Sequence, residues 1–482
     1  MNKKEKVTSN FLWRLFERLG AQGVSFVVQI ILARILVPEV YGTIALITVF
    51  TTILNVFIDS GFANALIQKK DADELDFSTV FYFNIVVCTI LYMLMFLAAP
   101  YIAEFYNDIS LTPVIRVLCV TLLISGVKNV QQAYVSKTLQ FKRFFFATLA
   151  GTIGAAVVGV ILAYCGFGVW ALVAQQLFNT TVDTIVLWIT VKWRPKKQFS
   201  LRRLKILFSY GWKLLVSGLI DRVYNELWQL VIGKKYTSEQ LAYYNRGRQL
   251  PNLIVTNINS SMDSVLFPVM SEAQDCSSRV KAMTRKSIKV STYVLAPLMM
   301  GLAVTANPLV KIILTDKWLP CVPFMQIFCI SYIFQPIHTA NLNAIKAMGR
   351  SEIFLKLEIF KKIVGILILF LSMQYGVLVM AYSTLLFNVV AQIINSWPNR
   401  KLLNYHYIDQ IRDIIPSILL SIIMGICVYS VSYLNLNSYA TLLIQIPLGM
   451  IIYILLSKVF KLDCYLYLID TLKPYITKLT HR

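Results

Sequence analysis

The sequence predicts an all-α integral membrane protein of about fourteen transmembrane helices, arranged as two pseudo-symmetric six-helix lobes followed by a C-terminal helix pair. Three observations carry that expectation: a charge-poor apolar composition, the recurrence of membrane-length apolar runs, and the alternation of positive charge between successive connectors. Of 482 residues, 57% are hydrophobic and 15% charged, whereas an ordinary soluble domain carries about 25% charge. A soluble sphere cannot hide so much apolar surface. A helix crossing a bilayer needs roughly 20 mostly apolar residues, and windows of that kind recur from Leu15 almost to Lys458.

Cutting the runs at Pro, Gly, Asn and charge clusters places spans near 15–36, 41–66, 78–103, 113–135, 146–165, 168–190, 209–232, 241–267, 288–313, 322–345, 354–374, 376–397, 413–434 and 438–458. The basic start, Lys3, Lys4 and Lys6, runs into the first span with no small-residue cleavage site, so that span is expected to stay attached. Strands of a membrane barrel would alternate apolar and polar residues, but Val157–Leu162 and Ile366–Leu371 are apolar on every side. Helices fit better.

Positive charge marks cytoplasmic connectors. One set of alternate connectors holds Lys69 and Lys70, Lys137 to Arg143, Lys192 to Lys205, Arg279 to Lys286, Lys346 and Arg350, Arg400 and Lys401, and the tail from Lys461. The other set holds only Lys234, Lys235 and Lys317. An even number of spans with both termini cytoplasmic follows. The net charge of +22 then belongs to loops facing anionic membrane lipids, rather than to a nucleic-acid surface. Eight scattered cysteines form no C-x-x-C, and three histidines give almost no material for a metal or nucleophile site.

The basic segment with Trp193, Pro195 and Ser200 falls near the middle of the span series, and the parts on either side show weak internal likeness. At an offset of 200 residues, Gln29–Arg34 lies over Gln229–Lys234 and Glu39 over Glu239; at 210, Pro113 and Cys119 lie over Pro323 and Cys329. The expected organisation is an N-terminal lobe at 1–191, a basic linker at 192–207, a C-terminal lobe at 208–397, and an extra helix pair with a cytoplasmic tail at 398–482.

Ionisable groups at membrane depth are costly and ordinarily face a hydrated cavity or a partner. On that ground the candidate cavity residues are Arg14 and Arg18 of the first span, Asn55 and Asp59 of the second, and Lys128 of the fourth. The second half adds Arg222 and Glu226, Arg246, Arg248 and Asp263, and Asn341. Arg14 and Arg18 stand one helical turn apart, as do Arg222 and Glu226, which gives the spans that open the two lobes a polar stripe each. Inward-facing stripes would line a cleft between lobes. The competing readings are a self-neutralising ion pair for Arg222 with Glu226, and snorkelling to the interface for Arg14, Arg18, Arg246 and Arg248. For His338 it is a hydrogen-bonded core position. Arginine-rich lining suits phosphate or sugar-acid groups, because guanidinium forks bind their oxygens in pairs.

Several stretches now carry a resemblance: Leu32–Gly42 (LARILVPEVYG), Asp59–Phe62 (DSGF), Gly166–Leu172 (GFGVWAL), Tyr243–Arg246 (YYNR) and Ala347–Arg350 (AMGR). The chain resembles the polysaccharide-transporter branch, the Wzx-like lipopolysaccharide and exopolysaccharide flippases, of the multidrug/oligosaccharidyl-lipid/polysaccharide (MOP) superfamily. The resemblance implies two six-helix lobes around a central cavity in a bacterial inner membrane. It implies alternating access that moves an undecaprenyl-pyrophosphate-linked oligosaccharide to the outer leaflet, with no enzymatic step and no cofactor. Coupling to H+, Na+ or the membrane potential is compatible with it, and a polysaccharide polymerase is a candidate partner. Two alternatives stay open. A membrane glycosyltransferase or ligase would need catalytic surface on the outer side, where connectors reach at most about eight residues. A cation-coupled drug antiporter of the same fold would be expected to line its cavity with acidic groups.

Overall fold

A computed structural model describes residues 20–470 except 60, 61, 70, 139 and 141; the side chains of Asp59, Asn64, Gln68 and Tyr210 also lie outside the described set. All regular structure among the described residues is helical, as hydrocarbon requires of a backbone that must satisfy its own hydrogen bonds. Nine helical segments among them are long and apolar enough to cross a membrane. The chain is a multi-pass helical membrane protein. It forms two compact units, Met1–Ala242 and Tyr243–Arg482.

In the first unit α1 (Gly20–Ile35) precedes α2 (Pro38–Asp59), α3 (Phe62–Gln68), α4 (Glu74–Phe105), α5 (Leu111–Leu118), α6 (Val120–Lys137), α7 (Lys142–Tyr164), α8 (Val169–Thr190) and α9 (Leu201–Lys235). Local chemistry sets several boundaries. Asp73 caps α4 by accepting from the Asp76 amide at 2.9 Å, and the Asp76 carboxylate returns the bond to the Asp73 amide at 3.2 Å. Gly166 and Gly168 turn the chain between α7 and α8 with φ of 80° and 53°, angles that disfavour residues with a Cβ.

Helix α7 buries Ala147, Gly151, Ala155, Gly159 and Ala163, one small residue per turn. That stripe lets α8 approach closely: a Cβ on Gly151 would stand 3.0 Å from the Asn179 carbonyl oxygen, and one on Gly159 3.1 Å from the Gln175 Cβ. Helix α9 packs on α2, α3 and α4 within the first compact unit. The basic segment before it is docked on α4. The Lys196 amide donates to Ser78 Oγ at 3.0 Å, the Ser200 amide to Thr79 Oγ1 at 3.2 Å, and Trp193 is buried beside Phe77 and Tyr134. Arg203 pairs with Asp73 at 3.3 Å and with the buried Asp76 at 3.6 Å. Of the basic residues in this segment, Lys196 and Arg203 are paired with carboxylates at the start of α4.

Helix α10 (Ser238–Glu272) begins in the first unit and runs mostly in the second. There follow α11 (Ser277–Val304), α12 (Ala306–Leu314), a 3₁₀ turn (Asp316–Cys321), α13 (Val322–Ile333), α14 (Gln335–Ala347), α15 (Ser351–Ser372), α16 (Val377–Ser396), the short α17 (Asn399–Leu402), α18 (Tyr407–Ser430), α19 (Ser438–Val459) and α20 (463–470). Helix α18 packs along α11, and Arg285 of α11 grips Asp413 of α18 through two bonds of 2.7 Å.

Candidate functional site

A cavity of about 590 Å³ opens within the first unit. Helix α2 supplies Thr52, Asn55 and Val56, α6 supplies Ser125, Lys128 and Gln132, α8 supplies Thr180, and α9 supplies Arg222. The spacings of three and four residues on α2 and α6 put each group on one helical face. Seven of these eight side chains are polar, which suits water more than lipid.

Both cations are backed by a carboxylate. Lys128 Nζ lies 3.0 Å from Asp183 Oδ2, with the two side chains only 17% and 14% exposed. A lone ammonium held that deep would be strongly disfavoured, and the pair removes most of that penalty. Arg222 Nε lies 3.3 Å from Glu226 Oε1, while Gln229 Nε2 donates to Glu226 Oε2 at 2.5 Å. Glu226 is buried and Arg222 is 46% exposed. Lys128 and Arg222 line the cavity whereas Asp183 and Glu226 do not. The wall thus carries two cations, each paired with a carboxylate, and their N–H groups can meet anionic oxygens.

Of the residues singled out from the sequence, Asn55, Lys128 and Arg222 meet at this cavity, and Glu226 supports Arg222. Asp59 closes α2, but its side chain, like Arg14 and Arg18, lies outside the described residues. The remaining four are in the second unit. Arg246 sits 5.1 Å from the Trp318 ring centroid and donates to Gln249 Oε1 at 2.8 Å. Arg248 donates to the Tyr332 hydroxyl at 3.3 Å, and Asp263 accepts from Asn343 at 2.6 Å. Asn341 is fully buried; it donates to Gln410 Oε1 at 2.7 Å and accepts from Asn399 Nδ2 at 2.6 Å, tying α14 to α17 and α18. His338 bonds Asn395 at 2.7 Å. Sequence reasoning missed Thr52, Ser125 and Thr180. Thr180 satisfies its hydroxyl on the Gln176 carbonyl at 3.0 Å, as hydroxyl residues in helices commonly do, and only its register with Asp183 marks it.

A multi-pass helical protein whose polar, cation-faced cavity lies within its helices is built as a membrane transporter. The chain belongs to a family described as polysaccharide biosynthesis protein, whose model matches residues 31–323. It is 25% identical over 413 residues to the teichuronic acid biosynthesis protein TuaB of Bacillus subtilis (strain 168), covering 84% of this chain and 86% of that one. It is 24% identical over 351 residues to the succinoglycan biosynthesis transport protein ExoT of Rhizobium meliloti (strain 1021), covering 72% and 70%. Among solved structures, the lipid II flippase MurJ in an inward closed conformation superposes with a TM-score of 0.75 at 13% identity, over 94% of this chain and 98% of that one. The chain thus shares the fold of that flippase.

Proposed function

We propose that the protein is a flippase that carries a polyprenyl-pyrophosphate-linked oligosaccharide across a bacterial inner membrane by alternating access, for lipopolysaccharide, capsule or exopolysaccharide assembly. The observation that carries the reading is the cation-faced cavity: all its lining residues, Thr52 to Arg222, fall within the stretch matched by the polysaccharide biosynthesis family. Lys128 and Arg222 bind the pyrophosphate, the amide and hydroxyl side chains meet sugars, and the lipid tail stays in the membrane. The names of TuaB, ExoT and MurJ support polymer biosynthesis, transport and flipping in turn. The proposed topology has fourteen spans in two six-helix lobes and a final helix pair, with both termini cytoplasmic. H+, Na+ or the membrane potential supplies the coupling, and a polysaccharide polymerase receives the product.

Charge reversal tests the assignment. Arg222→Glu puts a like charge one turn from Glu226 and should abolish export of surface polymer while the protein persists in the membrane; Arg18→Glu should do the same. Loss of the gene should leave lipid-linked units at the inner face. Normal export by Arg222→Glu would overturn the site.

A further inference from the structure

A second cavity, of about 150 Å³, lies in the other unit where α11, α18 and the end of α19 meet; its charged lining is Lys289, Arg412, Asp413, Lys461 and Asp463. The two carboxylates are already engaged. Asp413 takes both bonds from Arg285 and a third from the Tyr405 hydroxyl at 2.7 Å, and Asp463 is held by Lys289 at 2.9 Å. Arg412 and Lys461 have no carboxylate partner among the described residues. The backbone points the same way. Helix α19 ends with the Leu462 amide donating to the Ser457 carbonyl at 3.1 Å and the Lys461 amide to the Lys458 carbonyl at 3.2 Å, which puts Lys461 at the left-handed position that glycine ordinarily fills. Its φ is 47°. A lysine held there against backbone preference, facing a cavity with a second unmatched cation, is a device for binding an anion.

We propose that this cavity binds the phosphate of an anionic phospholipid. Its volume of about 150 Å³ gives room for a phosphate group between the basic side chains. On α18, Ile415 and Leu419, one residue and one turn from the lining residue Pro416, are exposed apolar side chains, along which acyl chains can lie. Basic pockets between membrane helices recognise anionic head groups in this way. Inorganic phosphate shares the oxygen chemistry but would leave the apolar margin unused. The inference is independent of the flippase reading, since no residue is shared with the first cavity.

Native mass spectrometry of delipidated full-length protein tests it, with dioleoyl phosphatidylglycerol, dioleoyl phosphatidylcholine and inorganic phosphate titrated in turn. The expected result is one tightly held phosphatidylglycerol, with phosphatidylcholine at least tenfold weaker because its choline meets Arg412 and Lys461. Lys461→Gly removes the charge while relaxing the backbone, so its unfolding midpoint without lipid should match or exceed wild type although its phosphatidylglycerol affinity falls severalfold. Adding Arg412→Gln should take the loss to tenfold or more. Wild-type phosphatidylglycerol affinity in the double variant, equal binding of phosphatidylcholine, or equally tight binding of inorganic phosphate alone would each overturn the proposal.

Discussion

Replacing Lys128 with Gln isolates the charge on Asp183, a side chain only 14% exposed. Removing one partner of a buried ion pair typically costs about 3–5 kcal/mol. Water in the adjacent cavity can solvate part of the abandoned carboxylate, so the expected loss of stability is about 2 kcal/mol. Asp183→Asn should cost less, about 1 kcal/mol, because a freed lysine can turn its ammonium toward the cavity. The double variant puts a neutral amide pair in the same place and should recover about 1–2 kcal/mol relative to the sum of the singles, the range expected of side chains in direct contact. Unfolding midpoints of the four purified proteins give the cycle; complementation of a strain lacking the gene gives export. The double variant should therefore lie about 1–2 kcal/mol below wild type, less than the sum of the singles, and should still fold yet fail to export, as the proposed role of Lys128 in binding the substrate requires. Additive stabilities would refute the ion pair, and wild-type export by the double variant would refute the role of Lys128.

A Cβ on Gly42 would stand 1.6 Å from the Ser238 carbonyl oxygen; Gly42→Ala should therefore lower stability by about 3 kcal/mol, seen as a depressed unfolding midpoint and reduced membrane yield. Asn341→Ala leaves Gln410 and Asn399 short of partners in a buried network and should cost about 3 kcal/mol, with export per folded molecule unchanged. The amide of Asp76, above all, holds the Asp73 carboxyl below its ordinary 3.8, with desolvation opposing and Arg203 and Lys69 adding to the effect. Because the folded value is lowered, this contribution is present above 3.8 and is lost as pH falls through the folded value. Amide protection factors at the start of α4, which correct for the intrinsic pH dependence of exchange, should accordingly fall in acid, and Asp73→Asn, which keeps a cap, should remove that fall.

Much of the helical arrangement was legible because hydrocarbon enforces it: twenty apolar residues can do little else, and the Gly166–Gly168 turn announces itself. The breaks at Cys119 and Thr305 were not legible, since apolar sequence continues through both. The basic segment before α9 reads as a joint from its charge and its Pro195. Its fastening to α4 by Ser78, Thr79 and the Trp193 cluster is not legible, since the two hydroxyls lie more than a hundred residues away in sequence. At the cavity, Lys128 and Arg222 were recognisable because charge in a span demands a reason. Their setting was not, because Lys128 and Asp183 are 55 residues apart and Thr180 looks like any helical threonine. Asn341 illustrates the opposite case, as a buried strut and a ligand-binding amide are the same letter in a sequence.

The small-residue seam between α7 and α8 constrains how the cavity in the first unit can change shape. With Gly151 and Gly159 seated against Asn179 and Gln175, the two helices mesh like the teeth of a zipper and leave no clearance for one to slide along the other. Thr180 and Asp183 ride on that hairpin, so any stroke that moves them must carry α7 too, and the bending has to be taken up at the hairpin's ends. The seam makes α7 and α8 a single stiff wall of the cavity.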